Sequence, residues 1–105
     1  MSFDVDVFYS KLLKNTNNSG RMRWNAICED IINMYLHNIP ENSRLINRDR
    51  LWDILFNPYE KSDIKKKDLE VLFKNKEHLI FFKDIVYIAI DDPINWDKWV
   101  SRFMY

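Results

Sequence analysis

The chain has 105 residues, with four Trp, five Tyr and seven Phe but a single Gly and a single Cys, and its 16 Lys and Arg balance its 16 Asp and Glu. At zero formal charge it carries neither the basic footprint of a nucleic-acid binder nor the overall acidity of a nucleic-acid mimic, and so dense a supply of large side chains argues against disorder. The lone thiol, Cys28, cannot form an intramolecular disulfide and fits a reducing compartment.

Val5, Phe8, Tyr9, Leu12 and Leu13 fall at i, i+3, i+4, i+7 and i+8, one face of a first helix that Asp4 or Ser2 can cap. The run Asn-Thr-Asn-Asn-Ser-Gly at 15–20 has turn chemistry and is expected to end that helix, with Gly20 available for positive φ. From Arg21 to Ile39 the set Trp24, Ile27, Cys28, Ile31 and Tyr35 repeats the helical period, and Ile32, Met34 and Leu36 widen it, so this helix is expected to be covered on more than one side. Pro40 stops it. A third helix over about 44–56, or from Asn47, carries Leu45, Leu51, Trp52 and Leu55, and Asn57-Pro58 closes it because the residue before proline avoids helical angles.

Ser62 or Asp63 can open a fourth helix through Leu69, Leu72 and Phe73. Lys65-Lys66-Lys67 lies in its first turns, where the macrodipole disfavours cations, so the triplet must be solvated or held by a partner. Leu79 to Ile90 favours strand by propensity, yet it is long for a strand and no second convincing strand exists to pair with it, which argues for helix. Asp92 as N-cap and Pro93 at the first helical position then open a last helix bearing Ile94, Trp96, Trp99, Val100, Phe103 and Met104. The expectation is one all-α domain over 1–105, a compact bundle of about five to six helices in which 79–90 is the one stretch where strand is the alternative. The longest apolar run is broken by Lys83-Asp84 and falls short of the ~20 residues that a membrane helix requires. Ser-Phe-Asp-Val-Asp after Met1 has neither a basic nor an apolar leader segment, so a cytoplasmic protein is expected.

Catalytic chemistry finds little support. The only imidazoles, His37 and His78, are far apart in sequence, and neither follows an arginine at the short spacing used by HEPN-type helical ribonucleases. No strained turn displays Cys28 or a serine as nucleophile. Metal-ligand spacings and glycine-rich phosphate loops are missing, so neither a metal nor another cofactor is expected. Arg44, Arg48 and Arg50, then Lys61, Lys65, Lys66, Lys67, Lys74 and Lys76, form two basic clusters, but Asp49, Asp53, Glu60, Asp63, Asp68, Glu70 and Glu77 interleave with them. Alternating sign is the pattern of a solvated helix face rather than a nucleic-acid surface.

Acidic residues thicken towards the end of the chain. Asp84, Asp91, Asp92 and Asp97 stand beside Trp96, Trp99, Phe103 and Tyr105, and aromatic anchors flanked by charge are the usual centre of a protein interface. The candidate partner-binding residues are Asp91, Asp92, Trp96, Asp97 and Tyr105, with Glu29, Asp30 and Glu41 as a secondary patch.

A small, helical, glycine-poor chain rich in Asn, Ile and Lys, without an active-site set, resembles in type the immunity proteins of bacterial toxin–immunity pairs, including those of contact-dependent growth inhibition. That resemblance spans the whole chain but rests on no diagnostic motif. It implies a non-enzymatic, monomeric cytoplasmic inhibitor that covers the active site of a cognate toxin, a nuclease domain, without contacting nucleic acid or membrane. Carboxylates here would then face the toxin's basic groove, although zero net charge provides no long-range steering. The alternatives are a viral or phage protein binding a host factor, and a small helical transcriptional regulator binding DNA.

Overall fold

The computed structural model describes residues 4–56 and 63–104, with the side chains of 18, 19, 63, 64, 103 and 104 excepted. Ser2, Asn57, Pro58, Glu60, Lys61, Ser62 and Tyr105 lie outside the described residues. The helices are α1 (Val5–Ser19), α2 (Arg21–Asn38), α3 (Arg48–Phe56), α4 (Asp63–Lys74), α5 (Lys76–Phe81), α6 (Tyr87–Asp91) and α7 (Trp96–Met104). A π-helical turn, Phe82–Val86, joins α5 directly to α6, so 76–91 is one rod and the described residues form a bundle of six rods. No strand occurs among the described residues, and 79–90 is helical. The radius of gyration is 12.8 Å, matching the about 13 Å expected of a folded chain of this length.

Asp4 caps α1, its carboxylate accepting from the backbone N–H of Asp6 at 2.9 Å and Val7 at 3.2 Å. Residues 15–19 were expected to leave the helix and do not. Asn15 and Thr16 turn their side chains back onto the carbonyls of Lys11 and Leu12, at 3.0 and 2.7 Å, which satisfies them inside a helix. Gly20 alone makes the corner, at φ 79° and ψ 151°, and α2 begins on the next residue.

α2 is the central helix. Trp24, Ile27, Cys28, Ile31, Ile32, Met34 and Tyr35 are buried on it, and it packs against α1, α3 and α7, as its widened apolar stripe predicts. Trp24 donates its indole N–H to the Leu55 carbonyl at 2.9 Å, satisfying one of the open acceptors at the end of α3. Arg44 is not on α3 but bonds the Ile39 and Leu36 carbonyls at 3.0 and 2.8 Å and closes the end of α2. Asn47 caps α3 through the backbone N–H of Arg50 at 2.8 Å, so the later of the two expected starts is the correct one.

Buried positions on the 76–91 rod recur every fourth residue, at 78, 82, 86 and 90 and at 81, 85 and 89. An α-helix turns about 100° per residue, so a four-residue repeat drifts about 40° at each step. The π turn, with its wider i→i+5 loop, absorbs that drift and keeps one side of the rod on the core. There Phe8, Phe73, Phe81, Phe82 and Tyr35 meet edge to face, with centroid separations of 5.3 to 5.8 Å.

Candidate functional site

Asp91, Asp92 and Asp97 each have a partner within the protein. Asp91 pairs with Lys11 at 2.7 Å, and the same ammonium sits 4.1 Å over the Tyr87 ring. Asp92 accepts from the backbone and side-chain nitrogens of Asn95 and organises a turn at 93–95, so α7 starts at Trp96 rather than at Pro93. Asp97 pairs with Arg23 at 3.0 Å. The other terminal nitrogen of Arg23 donates to the Pro93 carbonyl at 2.7 Å, and this clamp holds the turn against the first turn of α2.

Trp96, expected to be an exposed anchor, is 0% exposed and belongs to the core. Its indole ring stacks on Trp99, with centroids 4.9 Å apart and planes at 26°, and it is Trp99 that reaches the surface. The secondary patch divides. Asp30 is half-buried beside Asp97 and the Trp96 indole; burial raises its carboxyl pKa, Asp97 adds to the rise, the indole N–H opposes it, and Glu29 adds a little more. The indole N–H nevertheless makes no hydrogen bond of full geometry among the described residues. Asp30 and Asp97 therefore form one acidic spot, with exposed Glu29 nearby, whereas Glu41 lies past the far end of α2 in a 3-10 turn.

The basic clusters are likewise drawn into local pairs. Arg50 holds Asp68, Lys65 reaches Asp53 at 3.4 Å, and Lys66 reaches Asp6 at 2.7 Å. Two of the three cations in the Lys triplet are thus held by carboxylates of other helices, which answers the unfavourable position at the start of α4. Lys67, the third, is exposed and makes no ion pair with another helix among the described residues.

His37 is exposed, while His78 is buried and accepts from the Tyr35 hydroxyl at Nε2, 2.8 Å away. The Asn75 Oδ1 that caps α5 at 3.2 Å is also 3.1 Å from His78 Nδ1. Since that oxygen already accepts from the His78 backbone N–H, Nδ1 is the protonated nitrogen. Burial holds the imidazole pKa below its usual value. Cys28 is buried and its thiol is pushed far up by desolvation. No group of three or more metal-ligating side chains occurs among the described residues.

A second candidate surface lies elsewhere. A groove of about 540 Å³ opens between the end of α2, the 76–91 rod and α7. Ile39, Phe81, Ile85 and Trp99 make its floor, Ile80 projects into it at 50% exposure, and Asn38 and Pro40 close one side. Its only charged lining residues are two exposed carboxylates, Glu77 and Asp84, and neither makes an ion pair among the described residues. A smaller notch of about 340 Å³, beyond the end of α2, has the opposite sign, with Arg44 and Arg48 beside Leu36 and Leu45.

Sequence reasoning missed this groove although part of its signal was present. Glu77, Ile80, Phe81 and Asp84 stand at i, i+3, i+4 and i+7, one stripe of a helix. Nothing in that spacing says that Trp99 and the end of α2 come to the same place. No family model, curated protein or solved structure matches the chain, and no helix among the described residues is long and apolar enough to cross a membrane.

Proposed function

We propose that the protein is a cytoplasmic inhibitor that binds a cognate protein toxin, a nuclease domain, and blocks its active site, in the manner of the immunity proteins it resembles. The observation that carries this reading is the groove: an apolar floor including Trp99 under a rim whose only charges are Glu77 and Asp84. A nuclease must present cations to the phosphates of its substrate, and a carboxylate-rimmed apolar surface meets such a cleft with complementary charge and an aromatic anchor. DNA binding gains less support, because Arg50, Lys65 and Lys66 pair with carboxylates and Arg44 is spent on backbone carbonyls.

The test is affinity capture of the tagged chain from its source cells in moderate salt, followed by assay of the captured protein for nucleic-acid cleavage. The expected result is a basic protein whose nuclease activity is suppressed by the wild-type chain and restored when Glu77→Lys/Asp84→Lys is used instead. Recovery of nucleic acid alone, or of a protein whose activity the chain leaves untouched, overturns the reading.

A further inference from the structure

We infer that the groove receives a basic amphipathic helix of the partner, with two cations seven residues apart and two apolar side chains between them. This rests on the groove being the partner-binding site proposed above. Glu77 and Asp84 are seven residues apart on one rod, two helical turns or about 10 Å along its axis. Ile80 and Phe81 lie between them on the same stripe. A helix laid along the rod repeats that spacing only if its own cations are seven residues apart, with apolar residues three and four positions after the first. Its apolar pair would then rest on Ile80 and Trp99 while each cation reaches one carboxylate.

The walls favour a helix over an extended segment. The groove is bordered by helices and by the end of α2, and no strand occurs among the described residues. An extended peptide would find no sheet edge to take up its backbone N–H and C=O groups, whereas a helix arrives with its own satisfied. The floor is firm as well, because Trp99 stacks on the fully buried Trp96 and Phe81 packs edge to face on Tyr35. Lys76 and Lys83 are exposed but do not line the groove. Each is one residue, about 100° of helical rotation, from the neighbouring carboxylate.

The probe is a capped synthetic helix of about 15 residues with lysines seven apart and two leucines between them, titrated at low salt into the isotopically labelled full chain. A control peptide of the same composition carries its lysines on the face opposite the leucines, and a second replaces both lysines with glutamate. The expected result is a set of amide shifts confined to 38–39, 77–85 and 99, with a moving Trp99 indole resonance, and affinity at least tenfold weaker for both other peptides. Glu77→Lys/Asp84→Lys should reverse the preference, taking the glutamate peptide over the lysine one, with the rest of its spectrum unchanged. No localised shifts up to millimolar peptide, equal binding of the lysine peptide and its control, or shifts centred elsewhere would each overturn the inference. Peptide binding with no toxin found by capture removes the toxin reading alone. An inhibited toxin with no peptide binding removes this inference alone.

Discussion

Two tryptophans, both completely buried, should respond differently to the same substitution. Trp24 and Trp96 are each 0% exposed, but only the Trp24 indole N–H is hydrogen-bonded, to the Leu55 carbonyl at 2.9 Å. Replacement by Phe removes a similar amount of apolar surface from each site and leaves a void that costs about 1–2 kcal/mol, less than the ~3–5 kcal/mol of a Trp→Ala truncation. At position 24 the change also strands a buried carbonyl, adding about 1–3 kcal/mol. At position 96 it discards an N–H that has no full hydrogen bond among the described residues, so no such addition arises. Trp24→Phe should therefore be the less stable by about 1–3 kcal/mol, a gap of at least ~4 °C in Tm for a domain of this size. Urea and thermal unfolding followed by circular dichroism measure it, with Trp99→Phe as a half-buried control expected to lose less than either. Equal losses at 24 and 96 would refute the reasoning, because they would mean that indole hydrogen bonding contributes nothing to the difference.

Acid should weaken the fold through His78. Its folded pKa lies below the unfolded value because burial penalises the imidazolium, so the stabilising effect of the neutral ring is complete above about pH 6.5 and is lost as pH falls towards the folded pKa. Thermal midpoints across that range should fall in the wild type and flatten in His78→Gln; parallel curves would contradict the assignment. Asp30 has the reverse sign. Its raised folded pKa, caused first by burial and then by Asp97, makes the ionised carboxylate a liability at neutral pH that is relieved as pH falls through the folded value. Asp30→Asn should accordingly raise the urea midpoint at pH 7, and a lowered midpoint would show that its charge is needed in the fold. Gly20→Ala should cost about 1–3 kcal/mol through backbone strain alone, since a Cβ there meets nothing within 4 Å but the residue sits at φ 79°; a neutral result in chemical unfolding would show that the corner can be rebuilt.

The helices were legible wherever an apolar stripe ran unbroken. Val5 to Leu13 and Trp24 to Tyr35 reproduce the buried faces of α1 and α2. Errors arose where polar side chains chose between local and distant partners. Asn15 and Thr16 have the composition of a turn, yet in a helix they can bond the carbonyl four residues back, and spacing does not report which they do. Trp96 and Trp99, three residues apart, are adjacent on one helical face and equally apolar. Which of them enters the core depends on where α7 begins, and that is set by Asp92 organising the turn and by Arg23 drawing the Pro93 carbonyl onto α2, a contact spanning 70 residues. Asp91 and Asp97 are surface charges, but their pairing is not legible in the sequence, since Lys11 and Arg23 become their partners only once α1 and α2 are in place.

The same contacts distinguish the two sets of carboxylates. Asp91 and Asp97 are exposed, but each has a cation of another helix beside it, Lys11 and Arg23, whereas Glu77 and Asp84 make no ion pair among the described residues. Glu77 and Asp84 escape because the cations nearest in sequence, Lys76 and Lys83, are each one helical step away and project from a different side of the rod. The four-residue repeat of the core positions, accommodated by the π turn, keeps one side of that rod on the core from His78 to Ile90. With that side fixed, the stripe bearing Glu77, Ile80 and Asp84 borders the opening towards Trp99, so the irregular turn that completes the core also determines which charges line the groove.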